Sequence, residues 1–141
     1  MRRPLFAISF LCMWVLLTGM SQPPQGRIPT PEIDFAATFI DDQDISTKCR
    51  EVSWEGKTFL TGMRGKGSVA IPFEKVKRVL FIGDVREGRR DAQVTLRDGE
   101  VVAVTFDSES RVYGMTSYGS YQITVKNLKE ILFEAAAPPQ E

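Results

Sequence analysis

The 141-residue sequence has no histidine. Without imidazole, neither a Ser-His-Asp nor a Cys-His catalytic unit can be assembled, and no His-containing metal site can form. An excess of positive charge is missing too, since 18 Lys+Arg face 18 Asp+Glu. That balance argues against a nucleic-acid partner, whose binding domain should be clearly basic. Cysteine is scarce, with only Cys12 and Cys49. Beyond the first 20 residues no apolar run is long enough to span a bilayer as a helix. What is present is 43% hydrophobic and 26% charged, with 11 Gly and 8 Pro. This ordinary globular composition excludes wholesale disorder, a collagen-like chain and a polytopic membrane protein.

The N-terminus reads as an export signal. Arg2 and Arg3 precede a 13-residue apolar run, Leu5 to Leu17, interrupted only by Ser9; Thr18, Gly19 and Ser21 then supply small residues. Basic, apolar and small in that order define a secretory signal peptide, with cleavage expected after Ser21. The run is short of the roughly 20 residues that a membrane anchor needs; a tethered structural subunit with an uncleaved N-terminus is the alternative. Cleavage removes Arg2 and Arg3, leaving 16 positive against 18 negative residues, and Cys49 as the sole thiol. A lone Cys in an exported chain cannot close an intrachain disulfide, so Cys49 is expected as a half-buried small hydrophobe in a strand. An intermolecular disulfide is the other reading.

Residues 22–33 hold Pro23, Pro24, Pro29 and Pro31, a density that favours an extended linker. Residues 135–141 read as a flexible tail. Between them, residues 34–134 are expected to form one β domain made of two repeats, about 34–82 and 91–134. The repeat carries the organisation. Residues 52–81 align with 104–133 without a gap, and nine of the 30 positions are identical: Val52/Val104, Gly62/Gly114, Met63/Met115, Gly67/Gly119, Ser68/Ser120, Ile71/Ile123, Lys77/Lys129, Leu80/Leu132 and Phe81/Phe133. Composition alone would give about two. The sequence is therefore a duplication.

Inside each copy, Val52 and Trp54, like Val104 and Phe106, alternate with polar residues at period two, the strand signature. Turns at Glu55-Gly56 and Asp107–Ser110 lead into strands at Leu60 and Val112. Further strands run through Val69–Ile71 and Tyr121–Ile123. A single helical turn then feeds a last strand, Lys77–Ile82 or Lys129–Glu134. Asp98-Gly99 marks a hairpin turn upstream of the second copy, with a counterpart strand expected in Phe35–Ile40. The fold class is all-β: duplicated antiparallel units of four to five short strands with a one-turn helix before the last. This order is similar to that of the small SH3-like or Sm-like β-barrels, as two barrels or one fused barrel or sandwich. The resemblance covers element order alone, and fold carries no function by itself. About 50 residues per copy is marginal for separate stability, so the halves should share a core. The expected inward set is Val52, Trp54, Leu60, Ile71, Val79, Phe81, Val104, Phe106, Val112, Ile123, Ile131 and Phe133.

Several segments suggest chemistry. Gly62–Ser68 has the look of a phosphate loop, but the glycine spacing is wrong and Gly67 separates Lys66 from Ser68. The repeat keeps Gly67 and Ser68 yet turns Lys66 into Tyr118, so a hairpin turn is what recurs. Asp41, Asp42 and Asp44 cluster as hard cations prefer. A calcium-binding, metal-dependent hydrolase working through them is the alternative to a solvated turn. Neither S-x-x-K nor G-x-S-x-G occurs, so no enzyme is expected and no cofactor. Tyr113, Tyr118 and Tyr121 all fall on one hairpin of the second copy. Tyr113 and Tyr118 are candidate binding anchors, against the plainer reading of cross-strand packing; Tyr121 is expected in the core. Arg86, Arg89 and Arg90, interleaved with Glu87 and Asp91, read as a solvated linker or a docking surface for an acidic partner. The expected function is an exported, non-enzymatic binding or assembly protein of the cell envelope. Its expected partner is another envelope or secreted protein.

Overall fold

Period-two alternation becomes strands throughout the computed structural model, which describes Pro31 and residues 33–135. The expected export signal, its cleavage point at Ser21, nearly all of the linker and the tail beyond Ala135 lie outside the described residues. The first repeat comprises β1 (Ala37–Asp41), β2 (Ser46–Trp54), β3 (Phe59–Arg64), β4 (Gly67–Pro72), a 3-10 turn (Phe73–Lys75) and β5 (Val76–Arg86). The second comprises β6 (Arg89–Leu96), β7 (Val101–Asp107), β8 (Arg111–Thr116), β9 (Gly119–Thr124), a 3-10 turn (Val125–Asn127) and β10 (Leu128–Phe133). The protein is all-β, as its sequence implied: one antiparallel sheet of ten strands, curved as a half-barrel.

Strand order is β4-β3-β7-β6-β5-β10-β1-β2-β8-β9. Exchanging each strand for its partner in the other repeat returns the same order reversed, so the sheet has a pseudo-two-fold axis between β5 and β10. Equivalent residues meet there. Val79 lies directly opposite Ile131, and Trp54 packs on Phe106 with ring centroids 4.9 Å apart. Arg78 and Glu130 also occupy equivalent positions, and they form an ion pair. Two identical residues there would repel or leave a gap.

The repeats do not close on themselves. β3 of the first pairs with β7 of the second at Met63 and Thr105. β8 of the second pairs with β2 of the first at Arg50/Met115, Ser53/Tyr113 and Trp54/Val112. Each repeat therefore donates its β3–β4 or β8–β9 hairpin to the other. Two repeated glycines make this exchange possible. A Cβ on Gly62 would sit 2.7 Å from Val104 Cγ1 and 2.9 Å from the Thr105 carbonyl oxygen. One on Gly114 would sit 2.6 Å from Cys49 Cβ and 3.0 Å from its Sγ. The shared Gly-Met dipeptide thus marks the two crossing points between the repeats.

A single apolar core joins both halves. Ten of the twelve expected inward residues are buried, while Ile71 and Ile123 are only partly covered. They lie on the outermost strands, where one flank has no neighbour. Phe39, Phe73, Val76, Val94, Val125 and Leu128 are buried as well. Phe73 and Val125 occupy the two 3-10 turns, where neither helical nor strand periodicity announces burial. One expectation needs correction. Arg86 to Asp91 is not a linker: Arg86 ends β5, Arg89 begins β6, and the two lie opposite each other across a two-residue turn. Glu87 and Gly88 both have positive φ, 55° and 76°, the type I′ geometry that matches strand twist. Charged side chains are compatible with strands wherever a hairpin tip projects into water, and that hid the hairpin.

Candidate functional site

The five expected binding residues divide between two hairpins well apart in the sheet order. Arg86 and Arg89 are exposed at the β5–β6 tip. Arg89 lines a cleft of about 460 Å³ with Glu55, Thr61, Met63, Thr105 and Asp107. The cleft opens because β3 and β7 are paired at one position and then diverge. An adjoining depression of about 350 Å³ is lined by Asp84, Arg86, Glu87, Arg89 and Asp91. Acids outnumber the two arginines around this joint cleft. A docking surface for an acidic partner is therefore disfavoured here.

Arg90 is committed to contacts within the fold. Its guanidinium donates to the carbonyl oxygens of Gly83 at 3.2 Å and Val125 at 3.0 Å, and also to those of Lys126 and Leu128. It lies over the Phe81 ring, 5.5 Å from the centroid. Burial lowers its pKa, with Asp42 and Asp84 opposing that shift. A planar, always-charged fork suits several carbonyls at once. Arg90 ties the second 3-10 turn to β5 and holds the halves together.

The acidic cluster is committed to local structure. Asp41 Oδ1 accepts from the backbone N–H of Gln43 at 2.9 Å and of Ile45 at 3.0 Å, an Asx-type turn between β1 and β2. Asp44 pairs with Lys129. Among the described residues, no group of three His, Cys, Asp or Glu side chains is placed to hold a metal ion. Asp41, Asp42 and Asp44 thus do not form the calcium cage that the alternative reading requires.

The β8–β9 hairpin presents its tyrosines unequally. Tyr118 at the tip is 81% exposed. The turn beneath it is braced by Thr116, whose hydroxyl donates to the Gly119 carbonyl at 2.7 Å and accepts from the Tyr118 N–H at 3.1 Å. Tyr113 is half-buried on the face opposite Val112, across from Ser53. Tyr121 points inward and stacks on Phe39, centroids 5.7 Å apart and planes 16° from parallel. Desolvation raises its pKa. Packing and display thus divide between residues of one hairpin. Sequence gave no sign of the groove beside it, about 510 Å³, lined by Asp41, Asp42, Gln43, Tyr121, Gln122, Thr124 and Asn127. Its walls come from opposite ends of the chain.

Cys49 is 1% exposed, more deeply buried than expected, and is a free thiol among the described residues. Burial pushes its thiol up to about 11 from 9.0. Below pH 9 the thiol is neutral whether folded or not. Above it the unfolded thiol ionises first, so stability is expected to fall as pH rises from about 9 towards 11. Maleimide labelling followed by peptide mass should leave Cys49 unmodified at pH 7 until denaturant unfolds the chain. Labelling at the rate of a free thiol would contradict this burial.

No helix among the described residues is long and apolar enough to cross a membrane. No curated protein and no solved structure matches the chain. A family described as "Uncharacterised protein" matches residues 31–136. The match covers both repeats and every strand, and the chain belongs to that family.

Proposed function

We propose that the protein is an exported, non-enzymatic binding or assembly component of the cell envelope, and that it meets its partner through the β8–β9 hairpin. The observation that carries this reading is Tyr118, which is 81% exposed on a turn braced by Thr116. An aromatic ring held in water on a rigid turn offers a large contact area at little cost in conformational entropy. Its counterpart in the first repeat is Lys66, so the display belongs to one hairpin only. Export rests on the order of Arg2-Arg3, Leu5–Leu17 and Ser21.

A photo-crosslinking residue at position 118, in the protein expressed in its own cells, should capture a discrete envelope or secreted protein. The same residue at Val101, also exposed, should capture none. Tyr118→Ala is expected to weaken the purified complex by about 2 kcal/mol without changing the melting temperature. Equal crosslinking from both positions would remove the hairpin as the contact. An intact mass that begins at Met1 would contradict cleavage after Ser21.

A further inference from the structure

The two outermost strands are equivalent in the duplication but not in what they offer. Among the described residues β4 pairs only with β3, and β9 only with β8. The N–H of Phe73 donates to the Thr58 carbonyl, and that of Val125 to the Ser110 carbonyl, closing both hairpins identically. In an antiparallel ladder bonded and non-bonded pairs alternate. Counting back from those bonds, residues 68, 70 and 72 of β4 turn their backbone groups outward, as do 120, 122 and 124 of β9. In β4 the third is Pro72, which has no N–H, and proline is a standard way to blunt an exposed edge. In β9 the same place is Thr124. Ser120, Gln122 and Thr124 all keep their donors, and no charged side chain lies between Gly119 and Thr124.

The groove of about 510 Å³ runs beside this open edge. Its far wall is the Asp41–Gln43 turn, fixed by the Asp42 N–H donating to the Asn127 carbonyl at 3.0 Å. Among the described residues, Asp41 and Asp42 are the charged ones that line it. A strand laid against β9 would pair its backbone with Ser120, Gln122 and Thr124 and bring alternate side chains to that acidic wall.

We infer that β9 takes up one additional strand, an extended peptide segment carrying lysine or arginine, by adding it to the sheet edge. This rests on the reading of the β8–β9 hairpin as the contact surface and names the kind of partner and its mode of pairing. Backbone pairing supplies affinity in such complexes, and alternate side chains supply selectivity.

The probe is a ten-residue Thr/Val-alternating peptide with two lysines, alongside its glutamate counterpart and a version N-methylated on alternate residues. Titrated into the full chain, the lysine peptide should bind and slow amide hydrogen exchange at Ser120, Gln122 and Thr124. The glutamate peptide should bind about tenfold more weakly or not at all, and the N-methylated one should not bind. Thr124→Pro copies what β4 already carries, and both residues are extended, with φ −96° at Thr124 and −62° at Pro72, a modest adjustment on an edge strand. It should leave the melting temperature nearly unchanged and weaken the lysine peptide about tenfold. Asp42→Asn, tested separately, should reduce the preference for lysine over glutamate. Binding without protection of those three amides would overturn the inference, as would equal affinity for both charges. Protection that appears with protein concentration alone would mean that the occupant is a second copy, and would overturn it too. The two readings fail differently. If Tyr118→Ala weakens the purified complex while Thr124→Pro leaves that complex and peptide binding intact, edge addition is wrong and the hairpin contact stands.

Discussion

Replacing Gly114 with alanine is expected to destabilise the fold by about 2–3 kcal/mol, unusually large for adding one methyl group to a strand. The new Cβ would meet Cys49 Cβ at 2.6 Å and Sγ at 3.0 Å. A neighbouring Cβ cannot swing aside as the end of a long side chain can, so β8 and β2 must separate. Gly62→Ala should behave alike, since its Cβ would meet the Thr105 carbonyl oxygen at 2.9 Å as well as two side chains. Gly67 recurs in the repeat too, yet a Cβ there meets nothing closer than the Arg64 carbonyl oxygen at 3.7 Å. Gly67→Ala should therefore cost under about 1 kcal/mol. Urea unfolding of the three variants separates crossing-point glycines from a turn glycine. Adding Cys49→Gly to Gly114→Ala should recover part of the loss as a favourable coupling of about 1 kcal/mol. Equal, small effects at all three positions would mean that the strands do not approach as closely as described.

The second large effect concerns the halves themselves. Fragment 34–86 contains the whole first repeat, but its β3 lacks β7 and its β5 lacks both β6 and β10. Trp54 also loses Phe106. Some 50 residues with open edges and half a core are too few to fold alone. The fragment is expected to be unfolded, with the red-shifted emission of a solvated indole. Trp54 is its only tryptophan, so emission reports on this core directly. Mixing with fragment 89–134 should shift the emission to the blue and restore sheet signal. A fragment 34–86 that buries Trp54 without its complement would show that each repeat is self-sufficient.

Much of this architecture was legible in the sequence, because duplication prints the same physical demands twice. Val52, Trp54, Val104 and Phe106 declare strands by period two, and they are buried. Gly67 and Gly119 mark the hairpin turns, and Asp98-Gly99 a third. The one-turn helices precede β5 and β10 as expected, but the spacing of Val76 to Val79 and of Leu128 to Ile131 that suggested them falls inside the strands, and the turns are Phe73–Lys75 and Val125–Asn127. Partner choice was not legible. Local alternation says which face of β3 is apolar, but not whether β2 or β7 lies beside it. Only Gly62 and Gly114 hint at close approach, and a repeated glycine reads equally well as a turn. At the candidate sites, the exposed position of Tyr118 in a hairpin turn was legible because the repeat aligns it with the turn residue Lys66. The structural role of Arg90 was hidden, since its partners are backbone carbonyls 35 to 38 positions away. The groove beside β9 needs residues from β1–β2 and β9 together, and no local pattern joins them.

The exchange of hairpins between repeats underlies the shared core and the crossing glycines. Nuclear Overhauser spectroscopy on the intact, isotopically labelled protein tests it most directly. Cross-strand backbone contacts should link Met63 with Thr105, and Arg50 with Met115. Contacts from Met63 into residues 46–54 in place of Thr105 would mean that β3 pairs within its own repeat, and would contradict the exchange.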